Sequence, residues 1–142
     1  MAAFGYIDQF SDDLAEGVHS FATHTFRIYL SNEAPVRATD SVRGDITEIA
    51  NGNGYTTNGV QIVVASSVES SGTYTLTFTT PADPTWTASG GAIAQFRYVV
   101  CYNSSASDAL VCYWDYGSAI DLATGETFTV AVTTGFTITP AA

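Results

Sequence analysis

Two apolar segments on either side of a short polar loop constrain this chain more than any other feature. They lie within residues 95–116, QFRYVVCYNSSASDALVCYWDY. Their aromatic and β-branched residues, separated by a loop of Ser, Ala and Asp, predict an antiparallel hairpin. With the turn near Ala106 and Ser107, counting outward gives the register. It pairs Tyr102 with Val111, Cys101 with Cys112, Val100 with Tyr113, Val99 with Trp114, Tyr98 with Asp115 and Arg97 with Tyr116.

Both faces of this predicted hairpin are largely apolar or aromatic. A strand pair with one face in water alternates apolar with polar residues, and these two segments do not. We therefore expect one face to pack on the domain core. The other face must lie under a covering segment of the same chain or under a partner chain.

The length of the chain and the character of its N-terminus limit its organisation. A chain of 142 residues suits one domain with a core and is too short for two ordinary ones. We predict one β-sandwich domain over 1–142, with an N-terminal helical arm (1–20) and a sandwich (21–139). No apolar run approaches the roughly 20 residues that span a bilayer. The N-terminus carries acids where a secretory signal has basic and apolar segments, so we expect no export by that route.

The charge balance excludes two classes of partner. The chain carries four basic residues, all Arg, against fourteen acidic residues, which gives a formal net charge of −10. Such a molecule cannot neutralise a run of phosphates, and its field repels anionic surfaces. We therefore expect neither a nucleic acid nor a membrane as a partner.

The N-terminal third predicts a helix, a strand and a long loop. Apolar residues at Ile7, Phe10, Leu14 and Val18 are three or four apart and predict a helix over residues 4–18. Alternation over residues 23–31 predicts a strand with Phe26, Ile28 and Leu30 on one face. Residues 32–59 then read as an ordered loop that contacts a partner. Within this loop Thr39 or Asp40 caps a turn, Ile46 and Ile49 anchor it, and Asn-Gly pairs at 51–54 and 58–59 form turns.

Short strands fill the remainder of the sequence. Residues 60–68 and 73–80 predict a second hairpin, with Val63 and Ala65 facing the same core as Tyr74, Leu76 and Phe78. A short edge strand is expected at 85–87, and further strands at 119–122, 127–132 and 136–139. About eight strands, one short N-terminal helix and no alternation of strands with helices predict a mostly-β fold. The expected architecture is an antiparallel β-sandwich, jelly-roll-like in its strand arrangement.

Groups that could perform chemistry are few. His19 and His24 are five residues apart, which suits neither a strand nor a helix as a metal pair. Asp40, Asp45 and Glu48 lack the ordered spacing of a calcium loop. No nucleophile elbow, phosphate loop or zinc signature occurs. We therefore expect no enzyme activity, cofactor or metal.

For several polar and aromatic residues the sequence leaves more than one interpretation open. Cys101 and Cys112 are either bonded or two small buried thiols. Asp115 needs a partner in its apolar strand, either Arg97, Arg43 or Tyr hydroxyls. Arg97 is expected over the Tyr116 ring. The two tryptophans, Trp86 and Trp114, are either core or interface residues, or a platform for a sugar.

Four stretches together resemble a family of small virion proteins of tailed bacteriophages. They are DLAEGVHSFATHTFRIYLSNEAP, ATDSVRGDITEIANGNGYTTNGV, WTASGGAIAQFRYVVCYN and YWDYGSAIDLATGETFTV, and the likeness runs from about residue 13 to 130. Members of this family carry loose labels such as tail fibre or structural protein. The resemblance implies a capsid cement or decoration protein that binds the major capsid protein on the outer surface of the virion. Such heads assemble in the host cytoplasm, and the family has no catalytic residues to transfer.

The resemblance and the residues together give candidate contact positions. The second face of the hairpin and the Thr-rich strand faces suit a dimer or trimer of identical copies. The Asn/Gly loop and the N-terminal helix are expected to contact the capsid lattice. The candidates are Arg97, Val99, Trp114 and Tyr116 in the hairpin, Asn51, Asn53 and Tyr55 in the loop, and Phe10 and Leu14 in the helix.

Two other functions compete with this one. A tail-fibre or tail-tip protein would bind the host surface, with Trp86 and tyrosines against a glycan. A small enzyme would need a set of converging catalytic groups, which the sequence does not supply.

Overall fold

In the part of the chain that the structure describes, 48% of the residues lie in strands and 8% are helical. A computed structural model describes residues 2–79, 83–132 and 136–138. Along this part of the chain the elements are β1 (Ala3–Tyr6), α1 (Gln9–Ala15), β2 (Phe26–Ser31), β3 (Val60–Ser70), β4 (Thr73–Thr79), β5 (Thr85–Thr87), β6 (Ile93–Asn103), β7 (Ala109–Leu122), β8 (Thr127–Thr129) and β9 (Phe136–Ile138). A single 3₁₀ turn, Arg43–Asp45, lies in the loop between β2 and β3.

The strands form one large antiparallel sheet and one small one. The large sheet has seven strands in the order β1-β7-β6-β2-β3-β4-β9, and β5 pairs with β8 in the small sheet. The large sheet curls, and the small sheet contributes Trp86 and the partly buried Phe128 to the same core. The predicted mostly-β, antiparallel, sandwich-like fold is confirmed.

The central hairpin has the predicted register over most of its length. Cys101 lies opposite Cys112, Val99 opposite Trp114, Val100 opposite Tyr113 and Tyr98 opposite Asp115. Two predicted pairs are wrong, because the ladder shifts at two places that simple counting does not reveal. Tyr102 pairs with Leu110 rather than Val111, and a second shift between Phe96 and Tyr98 removes the pairing of Arg97 with Tyr116.

The strand predicted at 119–122 is the end of β7, which runs without interruption for 14 residues. Gly117 has φ +82°, a value that glycine adopts without strain, so the strand bends there and continues. Beyond this bend Ile120 pairs with Phe96 and Leu122 with Ile93. The other predicted late strands correspond to β8 and β9, both shorter than expected within the described residues.

The N-terminal prediction is wrong in its first part. Residues 3–6 form the edge strand β1 on β7, with Phe4 opposite Trp114 and Gly5 opposite Tyr113. The Tyr113 ring lies across Gly5, where an added Cβ would be 2.6 Å from a ring carbon, so this position accepts only glycine without rearrangement. The helix occupies only Gln9–Ala15, and Gly17 follows it with φ +77°. The first 20 residues therefore contribute a strand to the large sheet as well as a helix.

The predicted inward position of Val63 is also wrong. Its neighbour Ile62 lies opposite Phe26 and is buried, whereas Val63 is 47% exposed. A register shift between Val64 and Ser66 then exchanges the two faces of β3, so that Val68 also points outward. The side chain of Ala65 lies outside the described residues.

The large sheet is buried on both faces at the hairpin. The inner face, which carries Val99 and Cys101, belongs to the main core with Phe26, Leu76 and Phe96. The outer face carries a second cluster, made of Ile7, Tyr29, Ile46, Tyr98, Val100, Tyr102 and Leu110. Ile7 precedes the helix and Ile46 belongs to the loop between β2 and β3, so a segment of the same chain covers this face. The hairpin needs no partner chain to bury its second face.

Both cysteines are free thiols buried at the centre of the sheet. They lie opposite one another, and burial raises the pKa of the Cys112 thiol. The Cys112 thiol therefore remains protonated, and both side chains pack as small apolar groups.

Candidate interaction surfaces

The long loop over residues 32–59 is fixed by the carboxylate of Glu48. One oxygen accepts hydrogen bonds from the Tyr55 hydroxyl at 2.6 Å and the Asn58 N–H at 2.7 Å. The other oxygen pairs with the guanidinium of Arg43. Because the Glu48 side chain is only 10% exposed, these three donors replace the water that the charge loses.

Aromatic residues extend this cluster into the sheet. The Arg43 guanidinium lies 5.6 Å from the centre of the Tyr29 ring and 5.5 Å from that of Tyr102. The Tyr29 hydroxyl donates to the Ile46 carbonyl at 3.2 Å, and the Tyr55 hydroxyl accepts from the Leu30 N–H at 3.1 Å. Burial raises the pKa of Tyr29 and Tyr55 far above their ordinary value. The loop is thus an ordered second layer on the sheet.

The predicted loop contacts divide into two groups. Asn51 and Asn53 are exposed, and each also holds the loop. The Asn51 side-chain oxygen accepts from the Thr57 N–H, and the Asn53 amide donates to the Ala92 carbonyl at 2.7 Å. Tyr55 is buried and serves the interior. Their contact with a partner stays a prediction, and the geometry leaves the two asparagines accessible for it.

The expected partner of Asp115 is Arg97, one of the alternatives that the sequence left open. The Arg97 Nε and Nη2 atoms donate to the two carboxylate oxygens at 2.7 and 2.8 Å. Hydrogen bonding to Arg97 lowers the pKa of Asp115. The guanidinium lies 5.1 Å from the centre of the Tyr98 ring, and its predicted position over Tyr116 is wrong. Tyr116 instead packs edge to face on Phe128, with ring centres 5.0 Å apart.

The two tryptophans have different environments. Trp86 is buried between the Tyr55 and Phe128 rings, so the core interpretation is confirmed for it. Trp114 is half-buried and packs against Phe4, which is 42% exposed, with ring centres 5.6 Å apart. Phe4 and Trp114 therefore form an aromatic corner, accessible in part, at the β1 side of the sheet.

The remaining predicted contact residues also differ in exposure. Val99 and Phe10 are buried in the main core, so only the surface around them is available to a partner. Leu14, on the helix, is half-buried and packs against the same core. It lines an open groove of about 550 Å³ with Tyr6, Ile7, Asp8, Phe10, Ser11, Arg37 and Thr137.

A buried polar node lies where the helix meets the tip of the hairpin. The Asn103 amide nitrogen is 3.0 Å from the Nδ1 atom of His19 and 2.9 Å from that of His24. Because an amide nitrogen has two hydrogens, it satisfies both rings only if each Nδ1 is unprotonated. The Asn103 oxygen accepts from the Ser105 N–H at 3.0 Å, which fixes the amide in this orientation. Sequence analysis missed this node, since nothing local links residue 103 to either histidine.

We expect this node to make the protein less stable in mild acid. Burial lowers the pKa of His19 from its ordinary value of 6.5, although Asp13, 3.7 Å from the ring, opposes the shift. A lowered folded-state pKa means that the unfolded chain takes up protons first. The free energy of unfolding is therefore greatest above pH 6.5 and falls as the pH decreases below it, until the folded-state pKa is passed.

Urea unfolding at several values between about pH 7.5 and 5 measures this effect before most carboxylates titrate. The control is His19→Gln, which retains an acceptor for Asn103 and cannot be charged. An unchanged pH profile in the variant would contradict the assignment to His19.

The outer face of β3, β4 and β9 is exposed, unlike the outer face of the hairpin, which is buried. It carries Val63, 47% exposed, and Val68, 54% exposed, with Thr75, Thr77 and Thr137 beside them. We call these five residues the Thr/Val face. Between residues 60 and 79 the only charged side chain is Glu69. That carboxylate accepts the Gly72 N–H within the turn at 2.7 Å, and none of the five residues of the Thr/Val face is itself charged.

Searches for other kinds of site and for relatives gave negative results. Within residues 2–79, 83–132 and 136–138, no three His, Cys, Asp or Glu side chains are grouped to hold a metal ion. In the same part of the chain, no helix has the length and apolar character that crossing a bilayer requires. The fold and these surfaces define the class only as an antiparallel, sandwich-like β protein. Comparison with protein-family models, curated proteins and solved structures found no match.

Proposed function

We propose that this chain is a non-enzymatic structural protein of a tailed-phage virion, a cement or decoration protein. It binds the lattice of the major capsid protein on the outer surface of the head and stabilises that shell. The observation that carries the proposal is the uncharged Thr/Val face, exposed on a molecule whose formal net charge is −10. Exposed apolar residues grouped in this way favour contact with protein rather than with water.

The resemblance of residues 13–130 to small phage virion proteins supports the same function. It relates the four sequence stretches to proteins that join assembled heads or tails. The four stretches supply β2, most of the loop, β6 and most of β7, which are the parts that build the two-layered half of the sheet. An acidic exterior also suits free copies that must stay soluble in the host cytoplasm before they bind.

The ordered loop is the surface we propose for contact with the capsid. Its exposed residues Asn51 and Asn53 project from turns that need positive φ, which is 54° at Asn53 and 131° at Gly52. The hydrogen bonds of Glu48 hold these turns before any partner arrives, which lowers the entropy lost on binding. The exposed surface of the helix next to Leu14 extends the same proposed contact.

The aromatic corner favours one alternative, a tail-fibre or tail-tip protein that binds the host surface. Trp114 and Phe4 present partly exposed rings, and such rings stack on sugars. Trp86, the other tryptophan considered for that role, is buried.

Copy number in purified virions tests the proposal against this alternative. Heads and tails are separated, and the protein in each fraction is quantified by mass spectrometry relative to the major capsid protein. We expect it in the head fraction at an abundance near that of the major capsid protein. Abundance lower by about tenfold or more, together with recovery in the tail fraction, would support the tail function instead. Absence from both fractions would contradict both proposals.

A further inference from the structure

We infer that the Thr/Val face is the surface through which two copies of this chain associate. The inference rests on the proposed function in one respect, since a cement protein acts in many copies on one shell. The sequence predicts contact between copies through the second face of the hairpin together with the Thr-rich strand faces, and the inference keeps only the strand faces and names their residues. The hairpin face is unsuitable, because Ile7 and Ile46 already cover it.

Exposed side chains occur on all three strands of this face and not at a single position. In the described residues, the cluster that Ile46 of loop 32–59 covers on the outer side of the sheet has members from β2, β6 and β7 and none from β3 or β4. Val63 and Val68 therefore remain about half-exposed, and Thr75 and Thr137 are exposed on the neighbouring strands. Two of the five largest exposures recorded for big apolar side chains in the described residues fall on this one face.

Charge explains why a second copy is the partner this face fits. Two molecules with a formal net charge of −10 repel each other, so they can approach closely only where neither presents an acid. None of the five residues of the Thr/Val face is an acid. At its β9 edge Thr137 lines the groove that also contains Asp8, and that carboxylate is paired with Arg37 at 2.9 Å. Arg27, at the border of this face, donates to the carbonyl oxygens of Asn58 and Gly59 at 2.9 and 2.8 Å and is occupied within its own chain.

The side chains of this face are also complementary to themselves. A threonine hydroxyl both donates and accepts a hydrogen bond, so a row of threonines can pair with an identical row. Valine packs against valine with no need for a different partner. A two-fold contact places the same patch on both sides, which a face of Thr and Val satisfies and a face of one charge does not.

Sedimentation of the purified full-length chain tests the inference. The wild type is expected to associate reversibly in the micromolar range. Val68→Asp and Val68→Arg should both weaken association by about 100-fold, since either places a charge in the contact of both copies. The matched control is Val36→Asp, because Val36 is 55% exposed and belongs to loop 32–59 and not to β3, β4 or β9. It should associate as the wild type does.

Using both Val68→Asp and Val68→Arg distinguishes the loss of a local contact from repulsion between molecules of high net charge. Val68→Arg reduces the net negative charge, so loss of association in that variant cannot arise from general repulsion. Thermal melts of all three variants should match that of the wild type, and Val63→Asp serves as a second probe if a Val68 variant melts earlier. A wild type that stays monomeric up to about 100 µM, or a Val36→Asp variant that dissociates equally, would overturn the inference. Because the assay contains no capsids, its result is independent of where the protein is found in virions.

Discussion

Replacing Glu48 with alanine should cost about 3–5 kcal/mol of unfolding free energy, one of the two largest effects we expect. The change leaves the Arg43 guanidinium without its ion pair and the buried Tyr55 hydroxyl without its acceptor. It also frees the Asn58 N–H. Loss of partners for groups shielded from water is more costly than loss of the same bonds at an exposed site, because water does not replace them.

Urea unfolding of the purified protein measures this loss, with two variants for comparison. Glu33→Ala removes an exposed acid of the same loop that accepts one N–H, from Thr47, and should have a much smaller effect. Glu48→Gln retains an oxygen for Tyr55 and loses the charge that pairs with Arg43, so an intermediate loss is expected. Equal stability of Glu48→Ala and Glu33→Ala would show that the loop is held in another way.

The second large effect is expected from Gly59→Ala, at about 3 kcal/mol or more. Gly59 has φ +58° and lies directly against β2, where an added Cβ would be 1.8 Å from the Ile28 carbonyl oxygen and 2.7 Å from its carbon. The methyl group would therefore push the start of β3 away from β2. Those two strands are paired only through Phe26–Ile28 and Val60–Ile62, so the disturbance reaches the middle of the large sheet.

Gly72→Ala is the matched control for this prediction. Gly72 also has a positive φ, +80°, but nothing lies within 4 Å of the position its Cβ would take. Its replacement should cost only the backbone strain of a left-handed residue, about 1–2 kcal/mol. The difference between the two variants in urea unfolding then measures the close approach of β2 and β3. Variants of equal stability would mean that the strands separate without cost.

The hairpin shows how far a local pattern carries. Alternation, turn residues and the absence of a polar face predicted two paired strands, four correct cross-strand pairs and burial on both faces. They also predicted that Asp115 has a partner, since a charge in an apolar strand requires one, and the structure selects Arg97 from the alternatives that the sequence left open. The two misplaced pairs result from bulges, which depend on how neighbouring strands twist and which no local pattern marks.

The N-terminus shows where the same kind of reasoning fails. Ile7, Phe10 and Leu14 have helical spacing, and the helix forms where two of them face the core. The same helical pattern would allow an earlier start at residues 4–6. These residues instead pair with β7, whose edge has backbone N–H and C=O groups that need partners. Pairing with a distant strand satisfies those groups, and Tyr113 closes over Gly5. Local propensity is weaker than such tertiary pairing.

Sequence alone determined what depends on neighbours in the chain: the β class, the turns, the ordered Asn/Gly loop and the acidic net charge. The absence of a nucleic-acid partner stays a prediction from that charge. The tertiary structure decided what depends on residues far apart in sequence. It placed Glu48 under Arg43 and Tyr55, joined Asn103 to two histidines, and covered the hairpin with its own loop while leaving the Thr/Val face bare. Burial of a given face is a property of everything packed against it, so no single strand encodes it.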